Sequence, residues 1–118
     1  MYVMGAVLAV PAENKDKYLE MATWMGDMFR EFGALEVYEN WEDDVKDGQQ
    51  TDFRRAVAAK DGEKIVFSWI VWPDKATSDE AHEKMMQDER MQGSPEEMPF
   101  DGMRMIYGGF DNIYANRG

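Results

Sequence analysis

Three polar side chains are candidates for catalytic chemistry because each lies where a charged or titratable group is unusual. His82 is the one histidine of the chain, and an imidazole can take or give a proton near neutral pH. Arg104 lies in an otherwise apolar run near the C-terminus, where a charge needs a partner or a wet cavity. Tyr107 follows in the same run. If all three side chains lined one cavity, they could orient an organic substrate and stabilise an anion formed from it.

Two of these candidates also have a structural interpretation. His82 would be a half-buried residue at the boundary of a helix. Arg104 would form an ion pair, for which the acidic candidates are Asp101, Glu39 and Asp44. Both interpretations stay open. The sequence therefore leaves two hypotheses, a protein that binds a small organic ligand without catalysis and a cofactor-independent enzyme.

Aromatic residues form the second group of candidates. Trp41, Trp69 and Trp72 lie on runs that read as strands, and their rings suit the walls of a pocket for a flat organic ligand. Aromatic residues on central strands are also common in cores and interfaces. We predict the three tryptophans and Asp101 as ligand-binding residues. Because Trp69 and Trp72 fall on opposite faces of one strand, at most one of them can look into a given cavity.

The sequence predicts no metal site and no cofactor. With no cysteine and one histidine, a transition metal would have to rely on carboxylates, and no spacing supports such a site. The acidic loop at residues 42–47 does not have the spacing of an EF-hand. Glycine-rich phosphate-binding motifs and the nucleophile elbow are absent from the sequence, which argues against nucleotide-dependent and classical hydrolase chemistry.

Charge and hydropathy exclude further classes of partner. The formal net charge is −11, and a surface this acidic repels nucleic-acid phosphates and anionic lipid. The apolar run at residues 2–10 is too short to span a bilayer as a helix, and it lacks the basic region of a signal peptide. We therefore expect no nucleic acid and no membrane among the partners. The absence of cysteine agrees with a cytoplasmic location.

Apolar periodicity predicts the secondary structure. Runs that alternate, or that are apolar on both faces, predict strands at residues 2–10, 34–41, 53–59, 64–72 and 103–107, the last extending into 110–114. A stripe at helical spacing predicts a helix between an N-cap at Asn14 and a C-cap at Gly33. A shorter helix is predicted over residues 78–91.

A hairpin is predicted in the middle of the chain. Asp61-Gly62 is a strong signal for a two-residue turn. The turn would pair strand 53–59 with strand 64–72 and set Arg54 opposite Trp69, where the two side chains could stack. The hairpin strand would then be an insertion between the second strand and the central one.

Short motifs also mark the ends of the later elements. Thr77-Ser78-Asp79-Glu80 has the form of a capping box, and Gly93 and Pro95 would end the helix that it begins. Gly108-Gly109 predicts a bulge or a close approach of two backbones in the final strand.

The order of elements predicts a ferredoxin-like α+β fold, an antiparallel sheet with two helices on one face. At 118 residues, the chain is one domain, 1–118. Strands 2–10 and 64–72 are apolar on both faces, yet the helices cover one face only. A second copy packed sheet against sheet would cover the other face, so we predict a homodimer through the sheet.

Three runs of sequence carry a family resemblance: Ala34 to Val45, Val66 to Pro73 and Met98 to Phe110. Together they resemble the bacterial DUF1428, or YbaA-like, family over nearly the whole chain. The resemblance implies the dimeric α+β barrel superfamily, which also holds cofactor-free monooxygenases, muconolactone isomerase-like enzymes, haem-degrading enzymes and stress-response proteins. Any activity would then be monooxygenase- or isomerase-like, in a pocket between helices and sheet. The family has no agreed activity, so it assigns no catalytic residue here.

Overall fold

In a computed structural model, which describes residues 1–92 and 98–118, the chain folds as an α+β domain around a four-stranded antiparallel sheet. The strands are β1 (Tyr2–Pro11), β2 (Glu36–Trp41), β3 (Glu63–Trp72) and β4 (Ile106–Asp111). The helices are α1 (Lys15–Glu31), α2 (Phe53–Ala56), α3 (Lys75–Gln87) and α4 (Glu89–Gln92), with 3-10 turns at Ala12–Asn14 and Gly102–Arg104. Across the sheet the strand order is β2-β3-β1-β4.

Helices pack on one face of the sheet and not on the other. What we call the helix face carries the even-numbered residues of β1 and the residues of β3 paired with them, such as Leu8 with Val66. Helices α1 and α3 pack there, burying Tyr18 and Ala81 against the strands. The other side, the open face, carries the odd-numbered residues of β1 and β3. Both central strands are therefore apolar on both faces, as predicted, but the helices cover one face only.

The predicted strand 53–59 and its hairpin are wrong. The segment begins with the short helix α2, because the side chain of Asp52 accepts the backbone N–H of Arg55 and caps it. Val57 then packs on Ala9 and Ile65, so the segment covers the end of the open face near Pro11. No strand of the described residues pairs with β3 there except β1 and β2.

Arg54 does not stack on Trp69. Its guanidinium forms an ion pair with Glu42 and donates to the backbone oxygen of Glu63 at 3.2 Å. Trp69 instead lies beside Tyr38 and Phe67 on the open face. The arginine therefore ties the segment after β2 to the start of β3, which is a structural role.

The ends of the two long helices differ in part from the prediction. Gly33 has a φ of 115°, a conformation that favours glycine, so the predicted C-cap of α1 is confirmed. Asn14 precedes α1, but its amide donates to the backbone oxygen of Pro99 and does not cap the helix. The capping box at Thr77 is wrong: α3 starts at Lys75, and Asp74 accepts the backbone N–H of Thr77.

Helix α3 packs through Ala81 and Met85, which face inward and are 1% and 4% exposed. The proposed stop at Gly93 and Pro95 lies outside the described residues.

The last strand begins later than predicted. Met103 and Arg104 belong to a 3-10 turn, and β4 starts at Ile106 and ends at Asp111. The register with β1 runs without a bulge from Ile106 to Asp111. The close approach predicted for the glycine pair is confirmed, because a Cβ on Gly109 would lie 1.8 Å from the hydroxyl of Tyr2.

Candidate functional site

Arg104 is enclosed by acceptors. Its guanidinium donates to both carboxylate oxygens of Glu63, at 2.8 and 2.7 Å, to Asp101 at 3.0 Å and to the backbone oxygen of Ala58 at 2.9 Å. Asp101 was among the predicted partners, and Glu63 was not. The donors of the guanidinium are therefore committed to holding three segments of the chain together.

His82 and Tyr107 lie on other elements. The His82 ring is half-buried between Phe29 and Trp72, and its Nδ1 lies 2.7 Å from the backbone oxygen of Ser78. Tyr107 is 72% exposed on β4, an edge strand. No hydrogen bond or ring contact within the described part of the chain joins His82, Arg104 and Tyr107. A shared catalytic role for them stays a prediction, and the geometry does not place them in one cavity.

The predicted ligand-binding residues are also dispersed. Trp72 is fully buried in the core, and its Nε1 has no hydrogen-bond partner among the described residues. Trp41 packs at the rim of the helix-side core, with the Lys15 ammonium 5.3 Å from its ring centre. Trp69 lies on the open face, and Asp101 caps the 3-10 turn while pairing with Arg104. Trp69 lines the aromatic depression described next, and Trp41 lines a separate, smaller depression of about 210 Å³ beside the acidic loop.

The open face carries a shallow aromatic depression. Its volume is about 450 Å³, and its floor and walls include Val3, Gly5, Phe67, Trp69 and Phe110. The Phe110 ring lies over Gly5, where a Cβ would be 3.7 Å from the ring. Phe110 is 61% exposed and Phe67 is 42% exposed, so this part of the sheet presents large apolar side chains to solvent.

A second depression, which we call the α1–β2 groove, lies between helix α1 and strand β2. It has a volume of about 530 Å³ and is lined by residues 19–30 of α1 and 36–39 of β2. Its one cationic lining residue, Arg30, donates to the backbone oxygens of Ala34 and Leu35 and so closes the C-terminal end of α1. The groove runs along β2, which is an edge strand of the sheet.

A tyrosine–glutamate pair lies at this groove. The hydroxyl of Tyr18 on α1 donates to Oε1 of Glu39 on β2 at 2.6 Å. Tyr18 is 6% exposed, and burial raises the pKa of its phenol, so it stays a protonated donor. Glu39 itself is exposed on β2. The surrounding protein still removes part of the water from its carboxylate, which is the main cause that raises the pKa of Glu39, although the hydrogen bond from Tyr18 acts in the opposite direction.

No cation offsets the charge of Glu39 among the described residues. Tyr18 is the single hydrogen-bond partner of its carboxylate there, and no ion pair involves it. The next side chains across the helix face are small, since Ser68 lies opposite Glu39 and Ala6 opposite Ser68. One oxygen of the carboxylate is therefore left to meet a ligand.

Sequence reasoning missed the Tyr18–Glu39 pair, although one signal pointed to it. The sequence suggests Glu39 only as a partner for Arg104. Strand alternation places Glu39 on the same face as Val37 and Trp41, which is the face that α1 covers, so a polar side chain of α1 such as Tyr18 can reach its carboxylate.

Two other kinds of feature are absent from the described residues. These residues contain no cluster of three or more acidic, histidine or cysteine side chains suited to a metal ion. None of their helices combines the length and the hydropathy needed to cross a bilayer.

Comparison with known proteins places the chain in a family. A family described as a protein of unknown function, DUF1428, matches residues 1–102. The uncharacterized protein YbaA of Escherichia coli (strain K12) is 56% identical over 112 residues, which cover 95% of this chain and 96% of that protein. The same figures hold for the uncharacterized proteins YbaA of Escherichia coli O157:H7 and Shigella flexneri.

Proposed function

The chain belongs to the DUF1428 family of proteins of unknown function, and from that premise we propose that it is a cytoplasmic homodimer that binds a small organic ligand. The strand order β2-β3-β1-β4, with α1 and α3 on one face, supports a ferredoxin-like protomer. Two such protomers packed sheet against sheet would form a dimeric α+β barrel. The lack of cysteine agrees with the cytoplasm.

The observation that carries the dimer is the aromatic open face. Segment 53–59 covers only the end of this face near Pro11, and the remainder exposes Tyr38, Phe67, Ile106 and Phe110 by 42% or more each. Monomeric soluble proteins rarely leave a contiguous apolar patch of this kind in water. A second copy of the same sheet would bury it by the ordinary face-to-face packing of sheets.

Charge supports the same partner. The protein carries a net charge of −11, and yet the β1 and β3 residues on the uncovered part of the open face, Val3 to Val7 and Phe67 to Val71, are all uncharged. Charges on this face lie towards its edge, at Glu36 and Arg117, so two acidic copies can approach most easily through its uncharged centre. Added salt screens the remaining repulsion, so dimerisation would strengthen with ionic strength.

Dimerisation would also leave only one of the two larger depressions accessible to a ligand. The 450 Å³ depression lies on the open face, and a second copy would close it to solvent. The 530 Å³ α1–β2 groove lies beside α1. Its Tyr38 wall faces the proposed interface, but Val37 and Glu39 face the helix side, so the α1 side of the groove would stay accessible. Its volume falls within the range of pockets for small organic molecules. We therefore assign the ligand to the α1–β2 groove of each protomer.

Sedimentation equilibrium of two matched variants tests the dimer. Phe110 and Tyr107 are both exposed on β4, but Phe110 lies on the open face and Tyr107 pairs with Ala6 on the helix face. Phe110→Asp would place two buried charges in the interface, so it is expected to be monomeric at concentrations where the wild type is dimeric. Tyr107→Asp is expected to stay dimeric. A monomeric wild type, or equal dissociation of both variants, would overturn the dimer.

A further inference from the structure

We propose that Glu39 is a general base, and that the α1–β2 groove presents to it the acidic C–H bond of a neutral organic substrate. Tyr18 is the positioning residue, because its hydroxyl donates to one carboxylate oxygen of Glu39. This inference rests on the groove as ligand site, but it does not depend on the dimer. It assigns a base and a class of substrate to the hypothesis of a cofactor-independent enzyme.

The geometry provides a carboxylate that is fixed on one side and available on the other. Oε1 of Glu39 accepts the Tyr18 hydroxyl at 2.6 Å, and no described residue donates to Oε2. Tyr18 cannot move freely, because its ring is 6% exposed and packs edge-on against Phe100 at 5.8 Å between ring centres. A short hydrogen bond from a buried donor therefore sets the orientation of the base.

The electrostatics of the groove keep the base reactive. A cation within a few ångströms would lower the basicity of the carboxylate, but the arginine that lines the groove, Arg30, donates to two backbone oxygens of its own segment. Although Glu39 is exposed on β2, partial removal of water raises the pKa of its carboxyl, which makes the carboxylate a stronger base.

The lining also selects the charge of the substrate. Among the charged residues that line the groove, the three carboxylates of Asp27, Glu36 and Glu39 outnumber the one guanidinium, that of Arg30, so an anionic substrate would be repelled. In the proton transfer, the C–H bond breaks, an O–H bond forms on Glu39, and the electron pair of the carbon moves into a new π bond of the substrate. The negative charge passes from Glu39 to the substrate. Return of the proton to another carbon gives an isomer, with no oxidant or reductant required.

The probe is 5-nitrobenzisoxazole, a flat neutral molecule with one acidic ring C–H. When a base removes that proton, the electron pair forms a nitrile, the ring N–O bond breaks, and a coloured nitrophenolate results within the same molecule. The rate is measured for the wild type and for Glu39→Gln, which keeps the shape of the side chain and its acceptor for Tyr18. Loss of a general base should lower kcat/KM by about 100-fold or more.

Two further variants complete the experiment. Glu80→Gln removes an exposed carboxylate on α3 that pairs with Lys84 and should leave the rate unchanged. In Tyr18→Phe, the pH at which the rate is half-maximal should move upward, because the hydrogen bond that stabilises the ionised carboxylate is gone. A purely structural role of Tyr18 would not move that midpoint.

The outcomes separate this inference from the proposed function. Chemical-shift changes of residues 19–30 and 36–39 on adding the probe report binding in the groove. Binding there, together with a rate that Glu39→Gln does not reduce, overturns the base and leaves the ligand groove standing. A wild-type rate equal to that of Glu39→Gln, without shift changes in the groove, overturns both. A rate that requires Glu39 and saturates with shifts in the groove supports both.

Discussion

Glu39 and Glu63 are two carboxylates of one sheet whose surroundings move their pKa values in opposite directions. Glu63 is buried, 8% exposed, and hydrogen bonds from Arg104 are the main cause that lowers its pKa to about 2. Glu39 receives a single hydrogen bond, from the neutral phenol of Tyr18, and the loss of water raises its pKa above 4.5. The two pKa values move in opposite directions because a cation, Arg104, pairs with Glu63, whereas no cation among the described residues pairs with Glu39.

This comparison separates a structural carboxylate from one that is available for chemistry. The charge of Glu63 is neutralised, and both of its oxygens are occupied by Arg104, which leaves nothing for a ligand. Glu39 is exposed, accepts one hydrogen bond and keeps an oxygen to which no described residue donates, and its pKa moves upward, which is the direction expected of a carboxylate that acts as a base. The arginine chosen from the sequence for catalysis thus has the environment of a structural residue.

Replacing Arg104 should give the largest effect on stability. In Arg104→Met, the apolar stem is retained, but Glu63 becomes a buried charge without a cation, which costs about 3 kcal/mol of unfolding free energy at neutral pH. Arg90→Met is the control, because Arg90 pairs with Glu31 and Asp88 at the surface, where such pairs are worth about 0–1 kcal/mol. Urea unfolding measures both.

The pH dependence of stability tests the same ion pair, that of Glu63 with Arg104. The folded-state pKa of Glu63 is about 2, below its ordinary value of 4.5, so the pair stabilises the fold above pH 4.5 and this contribution is lost as the pH falls towards 2. Linkage over that interval amounts to about 3 kcal/mol. In Arg104→Met the loss over this pH range should be much smaller. Parallel acid-unfolding curves for the two proteins would show that the ion pair does not stabilise the fold.

Replacing Glu39 should have a small effect of opposite sign. Glu39→Gln keeps an acceptor for Tyr18 and removes a partly dehydrated charge, so it should raise the unfolding free energy at neutral pH by about 0.5 kcal/mol. Because a raised folded-state pKa lowers stability as the pH increases, the gain should disappear below pH 4.5, where the carboxyl is protonated in both states. A loss of stability in this variant would make Glu39 a structural residue like Glu63.

The sequence predicts the fold correctly where apolar residues recur with a strand or helix period over a long segment and are then buried in the structure. Strand β1, helix α1 and strand β3 have such patterns, and their burial agrees with them. The segment after Asp52 was predicted wrongly because a single side-chain-to-backbone hydrogen bond, from Arg55 N–H to Asp52, starts a helical turn that apolar alternation cannot reveal. Asn14 does hold the N-cap position of α1, but its side-chain amide donates to Pro99, 85 residues away, and a contact so distant in sequence cannot be predicted from local pattern.

The candidate site was harder to predict because its pairs are distant in sequence. Arg104 and Glu63 are separated by 41 residues, and Tyr18 and Glu39 by 21, so composition and spacing contain no trace of either contact. What the sequence does contain is the face of Glu39, because strand alternation sets it beside Val37 and Trp41. Its tyrosine partner depends on how α1 crosses β2, which only the packed structure gives.

The most direct test of the account is the pKa of each of the two glutamates, measured by NMR from the side-chain carboxyl carbons across an acid titration. We predict a midpoint above 4.5 for Glu39 and one at about 2 for Glu63, with the Glu39 midpoint moving higher still in Tyr18→Phe. Midpoints of 4.5 or lower for Glu39, unmoved in Tyr18→Phe, would contradict the claim that this carboxylate is the available base of the molecule.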